Sequence, residues 1–91
     1  MMKSYRVLIK GVVQGVNFRY FTFKEAERIG VKGYVKNTSE GHVEAHFEGE
    51  EEKIKEMISR VKIGPPSSMV KEVELFEQSD LLNFKDFRII R

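Results

Sequence analysis

The residues with most chemical promise lie in the segment GVVQGVNFR, Gly11 to Arg19, and at Asn37 further along. Gly11 and Gly15 give the backbone access to angles that bulkier residues resist, so a turn built on them can point successive N–H groups into one concavity. If a helix starts just beyond, the positive end of its dipole adds to those donors, and the place suits a phosphate or sulfate. Arg19 supplies a planar, charged, bidentate donor at the same spot. A plainer reading stands beside this one, in which the glycines only turn the chain and Arg19 covers surface. The segment lacks both GxxxxGK[ST] and GxGxxG, so nothing in it calls for a nucleotide or its magnesium. Asn37 offers two donors and an acceptor, a fit for orienting a water against a bound anion. It also opens the turn-like run NTSEG, where asparagine is common for conformational reasons alone.

Other polar residues carry less. His42 and His46, four apart on an extended segment, stand about 13 Å from each other and cannot share a metal ion, so they are expected on the solvent face of a hairpin. Glu50, Glu51 and Glu52 open a helical segment whose dipole they complement, which accounts for them without catalysis. Ser67 and Ser68 follow two prolines with no placed base and read as loop residues.

The elements that must position Arg19 and Asn37 follow from periodicity. Tyr5, Val7 and Ile9 alternate with Arg6, Leu8 and Lys10, a strand with one face in the core that Gly11 closes. The stretch from about Tyr20 to Ile29 has no Gly or Pro and reads as a helix ended by Gly30, with Phe18, Thr22, Ala26 and Ile29 as its inner stripe. Val31 to Lys36 and His42 to Glu48 form a hairpin, with Val43, Ala45 and Phe47 on its inner face. Ile54, Met57, Ile58 and Val61 are spaced i, i+3, i+4 and i+7 on a second helix, stopped by Gly64, Pro65 and Pro66. Val70 to Glu77 gives a further strand, with Val73 and Leu75 on one face. A loop around Ser79 to Asp86 then leads to a short last strand, Phe87 to Ile90.

This order predicts an α+β fold of the ferredoxin-like split βαβ type, βαββαβ plus a short C-terminal strand, an antiparallel sheet with two helices on one face. The first two strands of such a unit run parallel and finish at the same end of the sheet. The first helix carries the chain back by about 15 Å at 1.5 Å per residue. The strand from Gly33 to Asn37 returns it by about 16 Å at 3.3 Å per residue. Asn37 is therefore expected beside Arg19.

Composition bounds what such a site can serve. The chain of 91 residues fits one domain, 1–91, and its 41% hydrophobic and 33% charged content with seven Phe is globular in character. It has no cysteine, which excludes disulfides, thiolate metal sites and cysteine nucleophiles and fits a reducing, cytoplasmic setting. No apolar stretch approaches the roughly 20 residues of a membrane helix. With 16 basic and 14 acidic side chains the net charge is +2, too balanced to demand nucleic acid or a membrane, so any anion site is local. The abundance of Lys and Glu leans in the direction of thermophile proteomes.

Two segments resemble the signatures of one family. IKGVVQGVNFR, Ile9 to Arg19, and GYVKNTSEGHVEAHFEG, Gly33 to Gly49, are similar to the first and second signatures of the acylphosphatases, in the right order and separation and with no departure at a defining position. The helices, the GPP break and the length resemble the family too. The resemblance implies hydrolysis of acyl phosphates to a carboxylate and inorganic phosphate. It implies that Arg19 binds the phosphoryl group together with N–H groups from Gly15, Val16, Asn17, Phe18 and Arg19 itself. Asn37, by the same likeness, orients the attacking water. No cofactor or metal is expected, the partner is a small acyl phosphate rather than nucleic acid or membrane, and a monomer is expected.

Two rival readings of the sequence stand beside this one. An RNA-binding sheet would use Tyr34, Lys36 and Phe76 as a stacking platform, but the RNP1 pattern of glycine and spaced aromatics is absent and the charge is modest. Acylphosphatase-like units also occur inside larger maturation proteins that handle carbamoyl phosphate. The absence here of a Cys-rich continuation makes a free-standing enzyme the expectation. A copper chaperone on this fold would need paired cysteines.

Overall fold

The computed structural model describes residues 1–91 and contains seven elements: β1 (Met2–Val12), α1 (Phe18–Ile29), β2 (Lys32–Asn37), β3 (Val43–Glu50), α2 (Glu51–Ile63), β4 (Met69–Glu77) and β5 (Phe87–Ile90). The alternation in β1 buries Val7 and Ile9 completely, and the inner stripe of α1 is Phe18, Thr22, Ala26 and Ile29. In α2 the buried positions are Ile54, Met57 and Val61, with Ile58 packed at the margin. Acids Glu51 and Glu52 in its first turn and bases Arg60 and Lys62 in its last match the helix dipole at both ends.

The strands form one sheet in the order β4-β1-β3-β2-β5. β1 pairs antiparallel with both β3 and β4, and β2 pairs antiparallel with β3, as the split unit requires. β5 pairs parallel with β2, from Gly33↔Phe87 to Lys36↔Ile90, so the appended strand makes the sheet mixed. Because β3 lies between them, β1 and β2 run in the same direction, and Val43 is paired with Ile9 on one side and Asn37 on the other. That shared register brings the C-terminal ends of β1 and β2 together. The core between sheet and helices joins Val7, Ile9, Val35, Val43, Ala45 and Phe47 to the stripes of α1 and α2 and to Phe87. Each buried Val, Ile, Phe or Met side chain among them stabilises the fold by about 1.5–3 kcal/mol through removal from water.

Two features of the sheet differ from the sequence expectation. Gly11 does not end β1; it sits in a bulge at Lys10/Gly11 with φ 135°, where a Cβ would strike the Met69 carbonyl of β4. The glycine is required by the approach of β4, and the strand continues to Val12. The outward face of β3 is also not a solvent face throughout, because His46 and Glu48 are both buried. The segment after β4 folds over them: Glu48 accepts hydrogen bonds from the N–H groups of Leu82 (2.7 Å) and Phe84 (3.1 Å). The His46 ring lies 5.1 Å from that of Phe84 and 5.8 Å from that of Tyr34, with its Nε2 2.7 Å from the Ser4 hydroxyl. Alternation marks which side a residue takes but not whether a later loop covers that side. Tyr34 is likewise half-buried, donating to Glu44 at 2.6 Å, so it is no open stacking platform.

Candidate active site

The loop between β1 and α1 is shaped by two left-handed residues. Gly15 has φ 74° and Asn17 has φ 67° with ψ 25°. Asn is the side-chain-bearing residue that accepts this region most readily, and a left-handed residue followed by a helical one is the backbone pattern that aims consecutive N–H groups at one point. Asn17 makes no side-chain cap to the helix. None of the N–H groups from Gly15 to Tyr20 donates to a protein acceptor; the first backbone bond of the helix is Phe21 N–H to the Asn17 carbonyl, 3.1 Å. A row of unpaired donors thus stands at the positive end of α1.

Beside these donors lies a cavity of about 400 Å³ lined by Val13, Gly15, Asn17, Phe18, Arg19, Tyr20, Asn37, Ile89 and Arg91. Arg19 and Asn37, separated by a helix and a strand in sequence, therefore share one site, as the register of β1 and β2 dictates. Of the loop residues, Gly15 and Asn17 are exposed at the cavity. Phe18 reaches it while its ring fills the core at 2% exposure. Val16 does not line it and packs against the core instead. The Arg19 guanidinium forms no ion pair, and its one hydrogen bond within the protein is a long one to the Ile90 carbonyl, 3.3 Å. No Asp, Glu, His or Cys lines the cavity, so its side-chain charge is that of Arg19 and Arg91.

Several lining residues have no counterpart in the sequence reading. Ile89 and Arg91 arrive because β5 lies beside β2, a pairing that no periodicity in a four-residue strand reveals. Tyr20 follows Arg19 on the first turn of α1, half-exposed, where the sequence marks it only as the start of a helix.

The acylphosphatase family model matches residues 5–89. The chain belongs to the acylphosphatase family. It is 42% identical over 88 residues to an acylphosphatase of Bacillus pumilus, covering 97% of this chain and 98% of that one. The crystal structure of acylphosphatase from Bacillus subtilis superposes with a TM-score of 0.95 at 37% identity, each chain covered completely. The same fold occurs within a larger protein: full-length HypF, in its phosphate- and nucleotide-bound form, matches the whole of this chain with 12% of its own length, at a TM-score of 0.87 and 33% identity. Membership at this level supports acylphosphatase activity and the ferredoxin-like α+β fold. No helix is long and apolar enough to cross a membrane.

Proposed function

We propose that residues 1–91 act as one catalytic domain that hydrolyses acyl phosphates to a carboxylate and inorganic phosphate, without a metal or a covalent intermediate. The observation that carries this reading is that one cavity is lined by a guanidinium without an ion pair, by Gly15 and Asn17 to Tyr20, whose N–H groups have no protein acceptor, and by Asn37, with no acidic side chain to repel an anion. Arg19 and the N–H groups of Gly15, Val16, Asn17, Phe18 and Arg19 hold the phosphoryl oxygens. Asn37 orients a water opposite the acyl oxygen. The water oxygen bonds to phosphorus as the phosphorus–acyl oxygen bond breaks, and the bond pair leaves with the carboxylate. Both water hydrogens remain on the phosphate, so the dianionic acyl phosphate becomes a carboxylate and a monoanionic phosphate.

This chemistry matches what the site contains. Phosphoryl transfer asks chiefly for positioning and stabilisation of charge on the equatorial oxygens. A carboxylate whose conjugate acid has a pKa of about 4 departs without a proton. An alkoxide would need a general acid, and the cavity lining has no His or carboxyl side chain to supply one. The phosphate's own oxygen serves as proton acceptor for the water. The partner is a small molecule, bound by a monomer in the cytoplasm, with no call on nucleic acid.

The test is hydrolysis of a synthetic acyl phosphate with a chelator present. Activity is expected to survive the chelator, and Arg19→Gln and Asn37→Ala are each expected to lower the rate by about 100-fold or more, the scale for loss of one transition-state donor. Inorganic phosphate is expected to inhibit competitively. Wild-type rates in both variants would remove the assignment of the site.

A further inference from the structure

Gln14 has its side-chain amide fully committed to one task. Its Nε2 donates to the Thr38 carbonyl at 2.8 Å and to the His42 carbonyl at 2.8 Å, so both of its N–H hydrogens are spent. Two carbonyl acceptors leave only one orientation of the amide possible. The residue is half-buried and does not line the cavity, so it is placed to act on the site from behind.

The two acceptors are the ends of the β2–β3 turn. Thr38 N–H donates to the His42 carbonyl at 2.9 Å, His42 N–H donates to the Thr38 hydroxyl at 3.1 Å, and Gly41 N–H donates to the Thr38 carbonyl at 3.2 Å. The turn is thus a small closed unit, and Thr38 follows Asn37 directly. Gln14 immediately precedes Gly15, the first residue of the proposed phosphate cradle. The β1–β3 ladder has already ended, at Ile9↔Val43. Beyond that point the two Gln14 bonds are the only hydrogen bonds joining residues 13–18 to residues 37–42.

We infer that Gln14 is a positioning residue that sets the distance between the phosphate cradle and Asn37 by tying the cradle loop to the turn that carries Asn37. This rests on the roles proposed above for Arg19 and Asn37. Displacement of a reacting group by about 1 Å can cost on the order of 100-fold in rate. Loss of the tie alters the spacing between Asn37 and the cradle loop, while Arg19 and the N–H groups of Phe18 and Arg19 keep their places on α1. The orientation of the water suffers while the phosphate affinity stays.

The test compares Gln14→Met, which keeps length and shape but has no donor, and Gln14→Glu, whose carboxylate faces two carbonyls, with wild type and Asn37→Ala. In both Gln14 variants kcat is expected to fall by about 10-fold or more, while the inhibition constant of inorganic phosphate stays within about 2-fold. The phosphate constant also reports that the variant is folded. Added to Asn37→Ala, Gln14→Met is expected to cost little more, because the residue acts through Asn37. Wild-type kcat in both Gln14 variants beside an impaired Asn37→Ala would overturn this inference alone. So would a phosphate constant that worsens in step with kcat, or fully additive losses in the double variant. An Asn37→Ala variant at the wild-type rate would instead overturn the role of Asn37, and this inference with it.

Discussion

Asn17 stands where the chain enters α1, in the left-handed region at φ 67°. For most residues with a Cβ this region costs roughly 1–2 kcal/mol, Asn being among the exceptions and Gly free of the penalty. Asn17→Ala is therefore expected to destabilise the protein by about 1 kcal/mol, and Asn17→Gly to leave it near wild type. Urea unfolding of the two variants decides: equal midpoints would mean that the loop relaxes without strain. Arg19 and Asn37 were legible because their types suit anion and water, and because two signature segments resemble a family's. Neither the backbone angle of Asn17 nor the pair of hydrogen bonds made by Gln14 was visible. A side chain that serves by bridging two loops leaves no pattern in the order of residues; the loops must first be placed.

At the scale of elements, the helices and four of the strands followed from periodicities of 3.6 and 2, since each presents one apolar face to a single core. What periodicity missed was the cover on the other face of the sheet. Glu48 alternates outward as expected, yet the segment between β4 and β5 closes over it, and its carboxylate receives the Leu82 and Phe84 N–H groups. Removing that acceptor leaves two donors with no partner beneath the loop. Glu48→Ala is expected to destabilise the fold by about 3 kcal/mol, the upper range for hydrogen bonds to a charged group. Amide hydrogen exchange at Leu82 and Phe84 is expected to accelerate more than exchange in β1 or β3. Unchanged exchange at those two amides would show that the loop is held by its apolar contacts instead. The same segment delivers β5 to its place beside β2, and with it Ile89 and Arg91 to the cavity.

For the molecule as a whole, the two buried ionisable groups beneath that loop set how stability responds to acid. Burial pushes the His46 pKa down, against the opposing pull of Glu48 and Glu44 and with added repulsion from Arg6. For Glu48, burial would push the pKa up, but the N–H groups of Leu82 and Phe84 and the Ser4 hydroxyl outweigh it and hold the carboxyl below its ordinary value. In both cases the unfolded chain takes up a proton at a pH where the folded one does not, so stability rises with pH across each window. The His46 contribution is complete above about pH 6.5 and is lost as pH falls from there toward its folded pKa. The Glu48 contribution is complete above about pH 4.3 and is lost below it. Two successive declines are therefore expected in the urea midpoint as pH is lowered from 8 to 3, the first beginning near pH 6.5. His46→Gln, which keeps a polar group near Ser4 but cannot titrate, is expected to abolish the first decline and retain the second. A wild-type midpoint that stays level down to pH 5, or a first decline that persists in the variant, would show that protonation of His46 is not what loosens the fold. The cavity lining contains neither group, so the loss of stability and any change in turnover should separate when both are followed over the same pH range.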